Sequence, residues 1–168
     1  MKYIRNILDR YTMYQVLTAV LGFYVLYGLV LSFTSGLFYS FAELFLSLGL
    51  IVGVAVSAHY LLVAVTKAPA NVWSSVITAL ILFLIFTPAS TPAGLATLAG
   101  VAFLAIALKY VVRYRNVHLF NPVALAAVLA SVFGLAYASW WVGTLWFTPI
   151  VIIGGLLVAV KIRRLRMV

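Results

Sequence analysis

The sequence predicts an all-α polytopic membrane protein with six transmembrane helices and both termini in the cytoplasm. Apolar residues make up 67% of the 168 positions and charged residues 8%, whereas a soluble domain has about a quarter charged residues. Six hydrophobic runs alternate with short connections. All 11 Lys and Arg residues fall before the first run or after the even-numbered runs. Because cytoplasmic loops retain positive charge during insertion, this pattern predicts orientation as well as span number.

The elements follow in order along the chain. Residues 1–10 mix apolar and basic side chains, which predicts a short interfacial helix on the cytoplasmic face. Transmembrane helices are expected at about 12–33, 44–66, 72–87, 94–112, 122–137 and 144–160. A spanning helix needs roughly 20 residues, so the third, fifth and sixth are short and are expected to be little tilted, shielded by neighbours or partly re-entrant. Residues 1–168 are predicted to form a single membrane domain, because no polar stretch is long enough for another.

Turn and capping residues support these boundaries. Asn71 is a plausible N-cap for the third helix, and Asn121-Pro122 is a strong helix start with a proline at the first helical position. The segment 87–92 contains two prolines and predicts a tight external turn. Trp140 and Trp141 lie in the last external connection, and tryptophan prefers the headgroup level of a membrane.

Small residues four apart predict close helix packing. They occur at Gly49, Gly53 and Ser57 on run two, at Ala126, Ala130 and Gly134 on run five, and at Gly155 and Ala159 on run six. We expect these faces to pack within the chain rather than to form a homodimer seam.

The composition argues against several classes of function. With no Cys, the chain holds neither a disulfide nor a cysteine-ligated iron–sulfur cluster of its own. The net charge of +9 sits at helix ends, which favours anionic lipid of the bilayer over nucleic acid as a partner. The only acids, Asp9 and Glu43, lie at helix edges, so the chain alone is a poor ion pump and lacks metal ligands. His59 and His118 are expected to be ordinary hydrogen-bonded histidines rather than haem ligands.

The densest polar segment precedes the fifth helix. Lys109, Arg113, Arg115 and His118 stand shortly before the Asn121-Pro122 helix start. A helix N-terminus presents free N–H groups and partial positive charge, which suits phosphate or another anion. The other interpretation is that these cations simply meet lipid headgroups, and general considerations favour it. Thr78 and Thr87 add hydroxyl groups to the third helix, although such hydroxyls mostly bond to their own backbone.

Several segments resemble the NqrB/RnfD family, the flavin-carrying membrane subunits of the sodium-pumping NADH:quinone reductase and the Rnf complex. The resemblance runs from about Tyr11 to the C-terminus. Its motifs are Ala70–Leu82 (ANVWSSVITALIL), Thr87-Pro88, Lys109-Tyr110 and His118–Pro122 (HLFNP). Residues 139–144 (SWWVGT), 154–157 (GGLL) and 161–164 (KIRR) are similar to a branch in which this membrane region is joined to a ferredoxin-reductase-type FAD/NAD module.

The resemblance implies a flavin held among the helices, flanked by Thr78, Thr87, Asn121-Pro122 and the segment Lys109, Arg113, Arg115 and His118. The chain departs from the family in supplying one of two inverted repeats, in lacking the Ser/Thr-Gly-Ala-Ser/Thr sequence for covalent FMN attachment, and in having Ser74 where the branch usually has a nearby acid. A non-covalent flavin, FMN or riboflavin, is therefore the implied cofactor. The implied partners are a second repeat, a homologous subunit or a reductase module.

Three functional hypotheses follow. The first is a membrane component of a flavin-dependent electron-transfer system, in the plasma (inner) membrane of a prokaryote, that is not catalytic alone. The second is one half of a small-solute or ion transporter, since the family shares an inverted-repeat plan with small-solute channels. The third is a structural membrane anchor for a reductase.

Overall fold

The computed structural model describes residues 10–34, 37–67, 71–114, 117–118 and 120–162, which form six helices and one minimal hairpin. The helices are α1 (Met13–Leu31), α2 (Phe41–Thr66), α3 (Val72–Ile85), α4 (Pro92–Val111), α5 (Pro122–Val132) and α6 (Thr148–Lys161). The strands β1 (Arg113–Tyr114) and β2 (Val117–His118) pair antiparallel between α4 and α5. The interfacial helix expected at 1–10 lies, apart from Arg10, outside the described residues.

The all-helical class is confirmed, and each described helix lies mostly within one predicted run. Helices α1, α2 and α4, with 19, 26 and 20 residues, are long and apolar enough to cross a membrane. Helices α3, α5 and α6 have 14, 11 and 14 residues. At 1.5 Å per residue they extend about 16 to 21 Å, short of the roughly 30 Å hydrocarbon core.

Two of the predicted boundaries were wrong by several residues. The fifth helix was expected to reach residue 137 but ends at Val132, because Gly134 adopts a left-handed conformation with φ of 65°. The Gly134 and Leu135 amides donate to the Ser131 and Ala130 carbonyls, at 3.1 and 2.8 Å, which is the Schellman arrangement that closes a helix. The sixth helix begins at Thr148 rather than at 144.

Side-chain caps set most helix starts. Asn121 Oδ1 accepts from the Val123 amide at 3.0 Å, and Pro122 opens α5, as predicted. Asn71 caps α3 in the same way. The Ser40–Glu43 capping box moves the start of α2 to Phe41 from the expected 44, and Thr91 moves that of α4 to Pro92 from 94.

The contacts between helices fix their relative directions. Helices α2 and α4 run parallel, because Ser90, just before α4, bonds Glu43 at one end while Tyr110 meets His59 at the other. Helix α3 runs antiparallel to both and packs mainly against α1 and α2. Helices α1 and α6 are antiparallel, since Tyr24 Oη donates to the Val151 carbonyl at 3.2 Å and Tyr27 Oη to the Trp146 carbonyl.

These directions define two ends of the bundle. At one end α2 and α4 terminate and α3 and α5 begin, and we call it the basic end. Lys67, Lys109 and Lys161, each in or directly after the last turn of its helix, lie toward it. At the opposite end the chain leaving α3 meets the chain leaving α5, where Phe86 forms a bridge with Ala138.

The small-residue faces behave differently from one another. Ala126 and Ala130 are fully buried, as expected for packing within the chain. Gly49, Gly53 and Ser57 instead face outward, and a Cβ at either glycine would meet nothing within 4 Å. On α6, Gly154 rather than Gly155 makes the close helix approach. Intramolecular packing was therefore the wrong prediction for the stripe on α2.

Candidate functional site

A cluster of buried polar side chains lies toward the basic end, between α2, α3 and α4. It comprises His59, Ser75, Lys109 and Tyr110, and we call it the His59 cluster. Their exposed fractions are 3%, 0%, 7% and 9%. Polar and ionisable groups are costly to bury among apolar helices, so such a cluster is a candidate functional site.

The cluster forms one continuous hydrogen-bonded chain. Lys109 Nζ donates to Ser75 Oγ at 3.3 Å. Ser75 Oγ lies 2.9 Å from Nδ1 of His59, and Tyr110 Oη lies 2.8 Å from the same nitrogen. His59 Nδ1 is therefore the junction of two hydroxyl groups, one of which connects it to the ammonium group of Lys109.

Helix geometry brings these residues to a common depth. His59 lies two turns before the end of α2, Ser75 lies in the first turn of α3, and Lys109 and Tyr110 lie in the last turn of α4. Because α3 is antiparallel to α2 and α4, these positions coincide. The Asn71 cap fixes where α3 starts, and hence the height of Ser75.

The ammonium group of Lys109 has no carboxylate beside it in the described part of the chain. Glu43 is the one acid there, and it lies on α2 about 24 Å from His59 along the helix axis. Its carboxylate instead accepts from the Ser40 amide and from Ser90 Oγ at the opposite end. Since Lys109 lies in the last turn of α4, the C-terminal end of the helix dipole supplies part of the missing negative charge.

In the structure, Thr78 and Asn121-Pro122 lie in the half of the bundle nearer the basic end. Thr78 lies one turn after Ser74, is 5% exposed, and its hydroxyl donates to the Ser74 carbonyl at 2.9 Å. The start of α5 follows the hairpin in which Arg113 pairs with His118 through the backbone. Arg115 and the side chains of Arg113 and His118 lie outside the described residues.

Thr87 is not brought to the same place. It follows α3 at the opposite end, and its hydroxyl donates to Ser139 Oγ at 2.7 Å. Helix α3 is about 21 Å long, so Thr87 and Lys109 cannot contact one small ligand group together. The role of Thr87 in the structure is to join the chain leaving α3 to the chain leaving α5.

Sequence reasoning identified Lys109 but not its connection to His59, Ser75 and Tyr110. His59 was expected to be an ordinary hydrogen-bonded histidine, and its two hydroxyl neighbours confirm that it is hydrogen-bonded. Positions counted from the helix ends place Ser75 and Lys109 within one turn of an end but His59 two turns from one, so the sequence did not indicate that these side chains meet.

No family model, curated protein or solved structure matches this chain. The functional argument therefore depends on the residues of the chain and their arrangement.

Proposed function

We propose that the chain is a membrane component of a flavin-dependent electron-transfer system and holds or contacts a non-covalent flavin at the basic end. One observation carries this proposal. Two segments that resemble the NqrB/RnfD family, the first turn of α3 and the last turn of α4, meet through the 3.3 Å bond between Ser75 and Lys109, and α5, which starts with the third segment, packs against α4. The resemblance implies the cofactor class, and these contacts support our choice of the basic end as its location.

The residues at this location suit the anionic or polar edge of a flavin. The α5 N-terminus, capped by Asn121, offers backbone N–H groups and partial positive charge. Lys109 is buried and would act through its charge rather than by direct contact. Arg113, Arg115 and His118 would flank the FMN phosphate or the riboflavin ring, and Thr78, which is 5% exposed, would border the site without direct contact. A flavin would supply the redox chemistry, and the chain would position it.

The proposal includes six spans with the basic end and both termini in the cytoplasm of a prokaryote. The common location of Lys67, Lys109 and Lys161 supports this orientation. A cytoplasmic reductase module would then approach the basic end. The outward-facing stripe of Gly49, Gly53 and Ser57 is compatible with a second repeat or a homologous subunit beside α2.

Cysteine labelling tests the orientation. The chain has no native Cys, so single substitutions give an unambiguous signal. Ser90→Cys, beside the exposed start of α4, is expected to react with an impermeant thiol reagent added outside intact cells. Ala70→Cys, in the connection between α2 and α3, should react only after permeabilisation. Reversed labelling, or equal labelling of both sites from outside, would contradict the proposed orientation.

Flavin retention tests the site. Protein purified under gentle extraction is expected to show flavin absorbance, and Asn121→Ala is expected to lower the flavin content per protein several-fold. The substitution removes the amide oxygen that caps α5, typically worth about 1 kcal/mol, and loosens the first-turn N–H groups.

Thr91→Ala is the matched control for this variant. Thr91 caps α4 at the opposite end, accepting from the Gly94 amide at 3.2 Å, so its loss has a similar cost to helix stability. It should leave the flavin content unchanged. Wild-type protein without flavin refutes the cofactor assignment, and equal loss from both variants refutes the location.

A second candidate function, one half of a small-solute or ion transporter, is favoured by a different feature. Helices α3 and α5 are too short to span, and they are continued by non-helical chain near Phe86, which is 2% exposed. Interrupted helices buried in protein are typical of transporter binding sites. Solute flux into liposomes by flavin-free protein would favour this function. Absence of both flavin and flux would leave the structural-anchor hypothesis.

A further inference from the structure

We propose that the His59 cluster is a proton-exchange site, in which Lys109 and His59 share one excess proton through the hydroxyl of Ser75. The proposal goes beyond the flavin assignment and does not depend on it. It depends on the hydrogen-bonded chain from Lys109 Nζ through Ser75 Oγ to His59 Nδ1 and on the burial of all three side chains.

The transfer is balanced in protons and charge. It starts from an ammonium Lys109 and a neutral His59 protonated on Nε2, so that Nδ1 carries a free lone pair. Lys109 gives a proton to Ser75 Oγ as Ser75 gives its own hydroxyl proton to His59 Nδ1. The products are a neutral Lys109 amine and a His59 imidazolium, and the net charge of the cluster stays at one. No bond other than O–H and N–H bonds changes, and no oxidant or reductant is needed.

Tyr110 makes the imidazolium form tolerable inside the bundle. Its Oη lies 2.8 Å from Nδ1, so it can donate to the neutral imidazole or accept from the protonated one by rotating its O–H bond. Ser75 Oγ can also accept from the newly formed Nδ1–H. A purely apolar pocket would offer neither partner, and burying a charge without partners is strongly unfavourable.

Electrostatics limits the cluster to one excess proton. An ammonium and an imidazolium two hydrogen bonds apart would repel each other in a medium of low dielectric constant. The other described titratable groups of the surrounding helices are remote or face elsewhere. Helix α2 carries Glu43 at the opposite end and the exposed Tyr60, with Lys67 at its C-cap; α3 and α5 carry none.

The tyrosines of α1, which packs on α3, are also engaged elsewhere or exposed. Tyr24 and Tyr27 bond to the chain around α6, and Tyr14 is exposed. Hence the two basic groups of the cluster titrate as a coupled pair, with the proton distributed between them.

Nitrogen-15 NMR of the full chain in lipid nanodiscs tests the proposal. With histidine and lysine labelled, a His59→Gln variant assigns the His59 signals against those of His118. In the wild type we expect the His59 Nδ1 and Lys109 Nζ resonances to shift together over one pH interval, with exchange broadening from proton transfer between them.

Ser75→Ala is expected to slow this exchange several-fold, because it removes the hydroxyl that connects the two nitrogens. Ser74→Ala removes a neighbouring hydroxyl outside the cluster and should leave the exchange rate unchanged. Ser75→Thr keeps the hydroxyl and should exchange faster than Ser75→Ala.

Two results would overturn the proposal: a His59 imidazole that stays neutral at every pH at which the protein is folded, or a Ser75→Ala variant that exchanges at the wild-type rate. Either would make the cluster a structural hydrogen-bond network. If Ser75→Ala fails to fold, the wild-type and Ser74→Ala spectra alone still decide whether His59 takes up the proton. The readout is a nitrogen shift, so failure of the flavin proposal leaves the test valid.

Discussion

Replacing Trp141 by alanine is expected to destabilise the protein by about 3 kcal/mol, the lower part of the range for a buried tryptophan. The indole is 7% exposed and makes edge contacts with Tyr39, Phe83 and Phe147. Its Nε1–H donates to the Phe83 carbonyl at 2.7 Å. In lipid the transfer part of the cost is reduced, because lipid is as apolar as the protein interior. The lost packing and the unpaired carbonyl remain.

Two variants separate these contributions. Trp141→Phe keeps an aromatic ring but removes the donor to Phe83, and we expect it to lose about half as much stability. Trp140→Ala is the matched control, because the side chain of Trp140, next to Trp141 in sequence, is 55% exposed. Thermal unfolding of the three variants in one detergent makes the comparison. Equal destabilisation by Trp140→Ala and Trp141→Ala would contradict the burial that the structure gives to Trp141.

Local chemistry explains why the helix starts could be predicted from the sequence. Asn71 and Asn121 were predicted as caps because the side-chain oxygen of asparagine can accept a hydrogen bond from a free backbone N–H in the first turn of a helix. Each accepts one from the backbone N–H two residues onward, at 3.0 Å. Ser40 and Glu43 could have been identified by the same reasoning, since Ser-x-x-Glu before an apolar run is a capping-box signature. Such signals need only neighbouring residues.

Features that depend on distant contacts could not be predicted in this way. The sequence suggested that Trp140 and Trp141 would both lie at the membrane interface, yet only Trp140 is exposed. The burial of Trp141 depends on the chain leaving α5 folding back against α3, as the Phe86–Ala138 bridge shows. The hydropathy of the sequence does not predict that this segment folds back against α3.

In the candidate site, too, local features could be predicted from the sequence and contacts between helices could not. Lys109 and Asn121 stood out because they are polar residues at the ends of apolar runs. Their relation to His59 and Ser75 required the parallel packing of α2 and α4, which spacing within one helix does not specify. Thr87 and Thr78 were grouped because both lie in one run, but α3 is long enough to separate them.

Replacing Gly154 by alanine is expected to destabilise the α1–α6 crossing by about 1–3 kcal/mol, the usual cost of overpacking. A Cβ at this position would overlap Tyr24 Oη and lie 2.7 Å from Val20 Cγ1. Helix α6 is otherwise largely exposed along Ile152, Ile153 and Leu156, so little else holds it in place. We expect a lower midpoint of thermal unfolding and faster proteolysis near α6.

Gly155→Ala is the matched control, because a Cβ there meets nothing within 4 Å and alanine favours the helix. Combining Gly154→Ala with Tyr24→Phe should recover part of the lost stability, since it removes the nearest atom while giving up the 3.2 Å bond to the Val151 carbonyl. A double-mutant cycle measures this coupling directly. Equal effects of Gly154→Ala and Gly155→Ala, with no coupling to Tyr24, would show that α6 does not cross α1 at this glycine.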